Sequence, residues 1–189
     1  PHDTTFSFIL YGDNQTNFLT HRDIVSAFQR HTFDFIISVG DVVQRGHSSD
    51  WNTEFFNPLA PVIKYKPIYA AIGNHELNAR YFYDYYSTPD SSHENYYSFS
   101  YENCFFIFID NPVNAYPDKK FYTDISPGSP QYSWLVSQLA SESARAADWL
   151  FVCGHIPCYN VSHPEPYPNN MKYLVPLFEK YGVDIYFSG

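Results

Sequence analysis

Four apolar runs in this chain each end in a short polar motif whose residues are oxygen or nitrogen donors. The sharpest is Gly73-Asn74-His75-Glu76, which follows Pro67-Ile68-Tyr69-Ala70-Ala71-Ile72. Gly12-Asp13-Asn14-Gln15 follows residues 6–11, Gly40-Asp41 follows residues 35–39, and Gly154-His155-Ile156-Pro157 follows residues 149–153. Asp13 and Asp41 offer carboxylate oxygens, Asn74 a neutral amide oxygen and His155 an imidazole nitrogen. Such a mixed N/O set suits Zn, Fe, Mn or a similar divalent ion better than a soft thiolate site would. Asp41 is the better placed to bridge two cations, because Gly40 beside it lets backbone and metal approach closely. Two cations about 3.5–4 Å apart hold a bridging hydroxide and clamp a phosphoryl group for in-line attack.

The elements that must position these donors alternate. Strands are expected at residues 6–11, 33–39 and 67–72. Between them lie a helix over 21–31, with Thr20 as N-cap and Ile24, Val25 and Phe28 on one face, and a helical stretch near 49–56. A Tyr-rich helix over 77–86 follows the third strand. The pattern then changes to a hairpin of 96–101 and 104–109 around Glu102-Asn103. Pro130 after Ser129 opens a helix near 131–143 with Leu135 and Leu139 on one face. A strand at 149–153, a helix at 171–181 with Gly182 as its C′ residue, and a strand at 183–187 complete the series. This order predicts an α/β layered fold with a largely parallel sheet and an antiparallel insertion. Near-continuous apolar strands fit a sheet covered on both faces. In such sheets ligands sit beyond the carboxyl ends of the strands, where all four motifs fall.

At 189 residues the chain suits a single domain, residues 1–189, with a real core. A hydrophobic share of 44% argues against disorder, and 18 Tyr and 17 Phe imply many half-buried rings. The net charge of −9 without any Lys/Arg block excludes general binding of a nucleic-acid polymer through a basic face. An anionic substrate must therefore be attracted locally, by bound cations. No run approaches the length of a membrane span, which points to a soluble protein. The chain shows no signal peptide but begins at Pro1, so both the cytoplasm and export after leader removal stay open. Three Cys argue against a disulfide-built fold, and Cys153 and Cys158, flanking His155, read as buried thiols. Arg45 reads as a surface ion-pair residue, and His47 lies near the second motif. His2, His21, His31, His93 and His163 have no supporting pattern and read as surface or solvated.

Taken in order, the motifs resemble those of the calcineurin-like metallophosphoesterase superfamily, which includes purple acid phosphatases and cyclic-nucleotide phosphodiesterases. Its pattern of D-x-H, G-D-x-x, G-N-H-D/E, a His near a Pro and a final G-H-x-H is met here by four segments. They are Asp13-Asn14-Gln15, Gly40-Asp41-Val42-Val43-Gln44-Arg45-Gly46, Gly73-Asn74-His75-Glu76 and His155-Ile156-Pro157. The resemblance covers essentially the whole chain and implies a layered α/β/β/α sandwich with mixed sheets. It implies two divalent metal ions (Mn, Fe, Zn or Mg), with Asp13 on one, Asp41 bridging both, and Asn74 and His155 on the second. It also implies that His75 contacts the phosphate or protonates the leaving group, with Glu76 orienting it. An imidazole with an ordinary pKa of about 6.5 suits that task near neutrality. A charge that caps the following helix is an equal reading of Glu76.

Three departures matter. Gln15 stands where many members have a His ligand, and either donates a side-chain oxygen or leaves that metal more open. Gln44 stands where purple acid phosphatases have a Tyr ligand, so the resemblance is to the superfamily and not to that branch. Phe187-Ser188-Gly189 resembles the start of F-S-G-H-x-H, so the domain is expected to be C-terminally incomplete. Each metal would then be one ligand short, and the incomplete sheet would favour self-association. The expected function is a metal-dependent hydrolase of small-molecule phosphoesters, using a dinuclear centre and a bridging hydroxide, and impaired in this piece. The rival is a catalytically silent domain of the same fold, acting in binding or assembly.

Overall fold

A computed structural model describes residues 5–76, 79–89, 93–111, 123–160 and 169–189. Among these residues seven short strands divide between two sheets. In the first, β1 (Phe8–Tyr11), β2 (Phe35–Ser38) and β3 (Ile68–Ala70) run parallel in that order. In the second, β4 (Tyr97–Tyr101) and β5 (Cys104–Phe108) form an antiparallel hairpin, and β6 (Trp149–Cys153) and β7 (Ile185–Phe187) follow β5 in parallel. The hairpin expected as an insertion into one sheet is thus the start of a second sheet.

The side chains explain the division. Phe35 and Ile37 of β2 face Phe106 and Phe108 of β5 across the space between the sheets, whereas Ile36 faces the first helical layer. Phe105 and Ile107 of β5 face the second helical layer. The central strands β2 and β5 therefore bury both faces, which gives four layers, α/β/β/α. The middle layer is aromatic. Phe106 is fully buried, with ring centroids 5.7 Å from Phe8 and Phe35, 5.1 Å from Phe99 and 5.2 Å from Phe151.

On the first sheet lie α1 (Phe18–Phe28), a continuous run of α2 (Ser48–Asp50), π-helical turns (Trp51–Phe56) and α3 (Asn57–Ile63), and α4 (Arg80–Tyr85). Helix α1 starts earlier than expected because Asn17, not Thr20, caps it, its Oδ1 accepting the Thr20 N–H at 3.2 Å. The expected Tyr-rich helix corresponds to α4, and residues 77–78 at its start lie outside the described residues. On the second sheet lie α5 (Pro130–Leu139) and α6 (Glu142–Ala146), then a π-helical turn (Asn170–Leu174) leading into α7 (Val175–Tyr181). The single helix expected over 131–143 is two, because Ser141 caps a new start with its own side chain. Among the described residues no helix is long and apolar enough to cross a membrane.

Removing the Phe106 ring empties the centre of the inter-sheet layer. Phe106→Ala is expected to lower the unfolding free energy by about 3–5 kcal/mol. Urea denaturation measures this, and a loss below about 1 kcal/mol would show that the two sheets do not depend on this layer.

Candidate metal centre

The loops that leave β1, β2, β3 and β6 meet at the carboxyl end of the sandwich. The Asp13 N–H donates to the Gly40 carbonyl at 3.0 Å and the Gln15 N–H to the Asp41 carbonyl at 3.3 Å, which zips the first two loops together. Asp13 (φ 53°) and Asp41 (φ 54°) both lie in the left-handed region, an uncommon place for a residue with a Cβ and one that Asp tolerates better than most. Gly40 (φ 95°) sits where the loops are closest. A Cβ there would come 2.8 Å from the Gly73 nitrogen and 2.9 Å from His155 Nδ1. Only glycine lets the second, third and fourth motifs touch.

Asp13, Asp41 and His155 each present one donor atom, all within 4.8 Å of one another. His155 Nε2 lies 3.2 Å from Asp41 Oδ2 and 2.9 Å from Asn74 Oδ1. Its Nδ1 lies 2.8 Å from the Val39 carbonyl, which can only accept, so Nδ1 carries a proton and Nε2 is the nitrogen turned toward the other donors. Burial opposes a charge on this ring, but the hydrogen bond and charge of Asp41, with help from Asp13, push its pKa up to about 9. The charged ring carries its second proton on Nε2, and a divalent cation taking Nε2 must displace it. Burial also raises the pKa of Asp13, with Asp41 adding to the effect and His155 and His75 opposing it.

Gln15 approaches Asp41 with its amide nitrogen, 3.4 Å from Oδ2, while its Oε1 is buried with no hydrogen-bond partner among the described residues. Two carboxylates, an Asn amide, an imidazole and an unpartnered amide oxygen together fit a divalent cation.

His75 stands at the rim, with 22% of its side chain exposed. Its Nδ1 donates to the Gln44 carbonyl at 3.0 Å, and its Nε2 is 3.9 Å from Asp41 Oδ2. The His75 N–H donates to Asp41 Oδ1 at 2.7 Å. The Gln44 carbonyl is thus a contact that sets the ring, whereas the Glu76 carboxylate is turned to backbone N–H groups. Its carboxylate is fully buried. Oε2 accepts from Gly73 N–H at 2.5 Å and Asp41 N–H at 3.0 Å, and Oε1 from Val42 N–H at 2.8 Å and Val43 N–H at 3.3 Å. Burial, with Asp41's charge adding to it, pushes the Glu76 pKa up to about 7 against the pull of His155 and the N–H donors. Glu76 fastens the loop after β3 to the loop after β2 and is enclosed away from any substrate.

The sequence pattern of the calcineurin-like phosphoesterase family matches residues 6–189. The chain belongs to that family. It is similar to purple acid phosphatase 18 of Arabidopsis thaliana, with 30% identity over 168 residues, covering 81% of this chain and 35% of that protein. Among solved structures, a purple acid phosphatase from yellow lupin (Lupinus luteus) seeds shares the fold with a TM-score of 0.71 at 19% identity, covering 100% of this chain and 38% of that one. GAP50, described as the anchor in the inner membrane complex of Plasmodium, does so with a TM-score of 0.68 at 21% identity, covering 96% and 64%. The chain spans about a third of the length of the first of these curated relatives.

Other parts of this metallophosphoesterase domain differ from expectation. His21, expected to be solvated, is 1% exposed, with Nδ1 2.9 Å from the Glu54 carbonyl and 3.1 Å from Asn14 Nδ2. Its i, i+4 and i, i+7 spacing to Val25 and Phe28 puts it on the buried face of α1. His47 stays mostly exposed beside Asp50, and His2 and His163 lie outside the described residues. Two residues went unnoticed in the sequence: Asp110 and Asn111, both buried at the carboxyl end of β5. They follow the apolar run 104–109 just as the four motifs follow theirs, so the same signal marks them. Asn111 Oδ1 accepts from the His155 N–H at 2.9 Å. Asp110 Oδ2 accepts from Asn95 Nδ2 at 2.6 Å, and burial pushes the Asp110 pKa up to about 6 despite that bond.

Glu76→Gln turns an acceptor for several N–H groups into a side chain with its own donors. It is expected to cost about 2–3 kcal/mol of stability, whereas His75→Ala at the rim costs less than about 1 kcal/mol. Denaturant melts of the two variants decide between them, and equal losses would remove the clamp. Asp110 carries a pH dependence. Its folded pKa of about 6 lies above the ordinary 3.8, so the folded state holds the proton more tightly. Its contribution is then present below about pH 4 and lost as pH rises to about 6, a fall of about 3 kcal/mol. Asp110→Asn should flatten that limb of the stability–pH curve; an unchanged limb would assign it to other groups.

Proposed function

We propose that the chain carries the metal centre of a metal-dependent phosphoester hydrolase acting on a small-molecule phosphoester. In this reading Asp13, Asp41, Asn74, His155 and Gln15 hold two divalent cations, Mn, Fe, Zn or Mg, with Asp41 shared between them. The observation that carries it is the convergence of Asp13, Asp41 and His155 donor atoms within 4.8 Å, beside the unpartnered Gln15 Oε1. Membership of the calcineurin-like phosphoesterase family supports the same chemistry. Such cations, when bound, neutralise charge on a phosphoryl group and acidify water into a nucleophile.

The chain's own residues supply the rest. Gln44 fixes the His75 ring with Nδ1 protonated, so Nε2 is the atom that faces the centre and exchanges a proton with the leaving oxygen. Val39 holds the His155 ring with Nε2 turned inward. Glu76 holds the loops that bear Asp41 and Asn74 at a fixed separation, so the donors are in place before substrate arrives. The overall charge of −9 repels an anionic substrate, which makes the local positive charge of the centre the source of its attraction.

A second reading, a silent domain of this fold that serves binding or assembly, draws support from Gln15 in place of an imidazole. The likeness to GAP50, described as an anchor, also favours it. Elemental analysis and hydrolysis of an aryl phosphate with added Mn²⁺ or Zn²⁺, in the whole protein, separate the two. His75→Ala is expected to cut turnover by about 10²–10⁴-fold with cation content unchanged. Asp41→Asn is expected to lose both cations. Two bound cations without hydrolysis would favour the silent domain, and retention of both by Asp41→Asn would end the bridging role.

A further inference from the structure

His155 lies on the loop that leaves β6, and its ring is useful only if that loop holds still. Asn111 spans the loop from the neighbouring strand end. Its Oδ1 accepts from two successive amides, His155 N–H at 2.9 Å and Ile156 N–H at 3.2 Å. Its Nδ2 donates to the Ile156 carbonyl at 2.9 Å and to the Tyr186 hydroxyl at 2.9 Å. The same Ile156 carbonyl accepts from the Tyr186 hydroxyl at 2.7 Å and from Asn170 Nδ2 at 3.2 Å. Asn111 and Asn170 are 2% and 1% exposed, so water does not compete for these bonds. Gly154 makes the arrangement possible: a Cβ there would come 2.6 Å from the Tyr186 hydroxyl and 2.9 Å from Asn111 Oδ1.

Three features separate this network from ordinary packing. It binds the backbone on both sides of the peptide that follows His155, so it fixes the direction in which the His155 Cα–Cβ bond points. Its members come from the ends of β5 and β7 and from the turn before α7, so three separate elements agree on one loop position. And Asn111 is a buried amide whose donors and acceptors all serve this loop and its neighbours, whereas Tyr186 packs its ring on Phe178, with centroids 5.3 Å apart, and turns only its hydroxyl to the network.

We propose that Asn111, seconded by Tyr186 and Asn170, is the positioning residue that sets His155 against Asp41 and Asn74. It acts through the His155–Ile156 backbone and touches neither cation nor substrate. In so far as it concerns cation binding, this rests on His155 being a ligand; the positioning of the ring itself does not.

The test reads the ring and the cation separately. In ¹⁵N-histidine NMR of the metal-free protein, the His155 Nδ1 proton, held by the Val39 carbonyl, is expected to exchange slowly with water; its signal is assigned by its loss in His155→Asn. Asn111→Ala should speed that exchange at least about tenfold and weaken Mn²⁺ binding, read by calorimetric titration, by about 10–100-fold. Tyr186→Phe should move both in the same direction by less. Leu135→Ala, which opens a cavity in the outer core, should lower stability comparably and move neither. On a His155→Ala background, Asn111→Ala should weaken Mn²⁺ binding no further. Unchanged ring exchange in both Asn111→Ala and Tyr186→Phe, or changes matched by Leu135→Ala, would overturn the proposal. If Asn111→Ala does not fold, Tyr186→Phe alone decides it. Failure of the wild-type protein to bind Mn²⁺ would remove the proposed function and leave the ring-exchange result standing.

Discussion

One buried carboxylate joins the two loops on which the candidate centre depends. Glu76 receives N–H groups from Gly73 on its own loop and from Asp41, Val42 and Val43 on the neighbouring one. These are the amides left unpaired where parallel strands β2 and β3 end and the ladder stops. An unpaired buried amide is costly, and a single carboxylate with two oxygens satisfies several at once. The separation of Asp41 from Asn74 and His75 follows from this junction. So does the closeness that forces glycine at position 40, because the loops can touch only where no Cβ intervenes.

The two-sheet architecture follows a related logic. Strands that are apolar on both faces need cover on both sides, and a second sheet supplies it to the first. Aromatic residues do much of this: Phe35, Tyr97, Phe106, Phe108 and Phe151 lie in the inter-sheet layer together with Ile37 and Val39. The consequence for the centre is that donors from different sheets arrive at one point. Asp13, Asp41 and Asn74 come from the first sheet, and His155 comes from the second. The Val39 carbonyl that sets the His155 ring belongs to the first sheet, so the contact between the sheets is read out directly at the imidazole.

This explains what was legible in the sequence. Asp13, Asp41, Asn74 and His155 were visible because each follows an apolar strand, and a parallel α/β arrangement gathers such strand ends on one side. The strand pattern alone did not show the division into two sheets, because a strand buried by a helix and one buried by another sheet have the same apolar pattern; the α/β/β/α sandwich came from the motif resemblance, and the structure has it. The role of Glu76 was hidden for a different reason. Its position next to His75 suggests a partner for that ring, whereas its carboxylate serves backbone N–H groups more than thirty residues away in sequence. His21 was misread although its i, i+4 spacing to Val25 already places it on the face that α1 buries. Asn111 carries the same strand-end signature as the four motifs and lacked only a motif to draw attention to it.

Gln15 ties the centre's chemistry to its stability. A His at this position would bring a nitrogen lone pair and, when protonated, a charge. Gln15 brings neither, and its bond to Asp41 is long at 3.4 Å. Its Oε1 is buried with no partner among the described residues, which costs about 1–3 kcal/mol for a neutral polar atom. A rotation of the amide would exchange oxygen for nitrogen and set the oxygen against a carboxylate, which is favourable only with a cation between them. Under the proposed function the charge at the centre would decide between these two orientations. Under the proposed function a cation would relieve the buried oxygen and the crowding of Asp13 against Asp41 in one step, so its free energy of binding would also be free energy of folding.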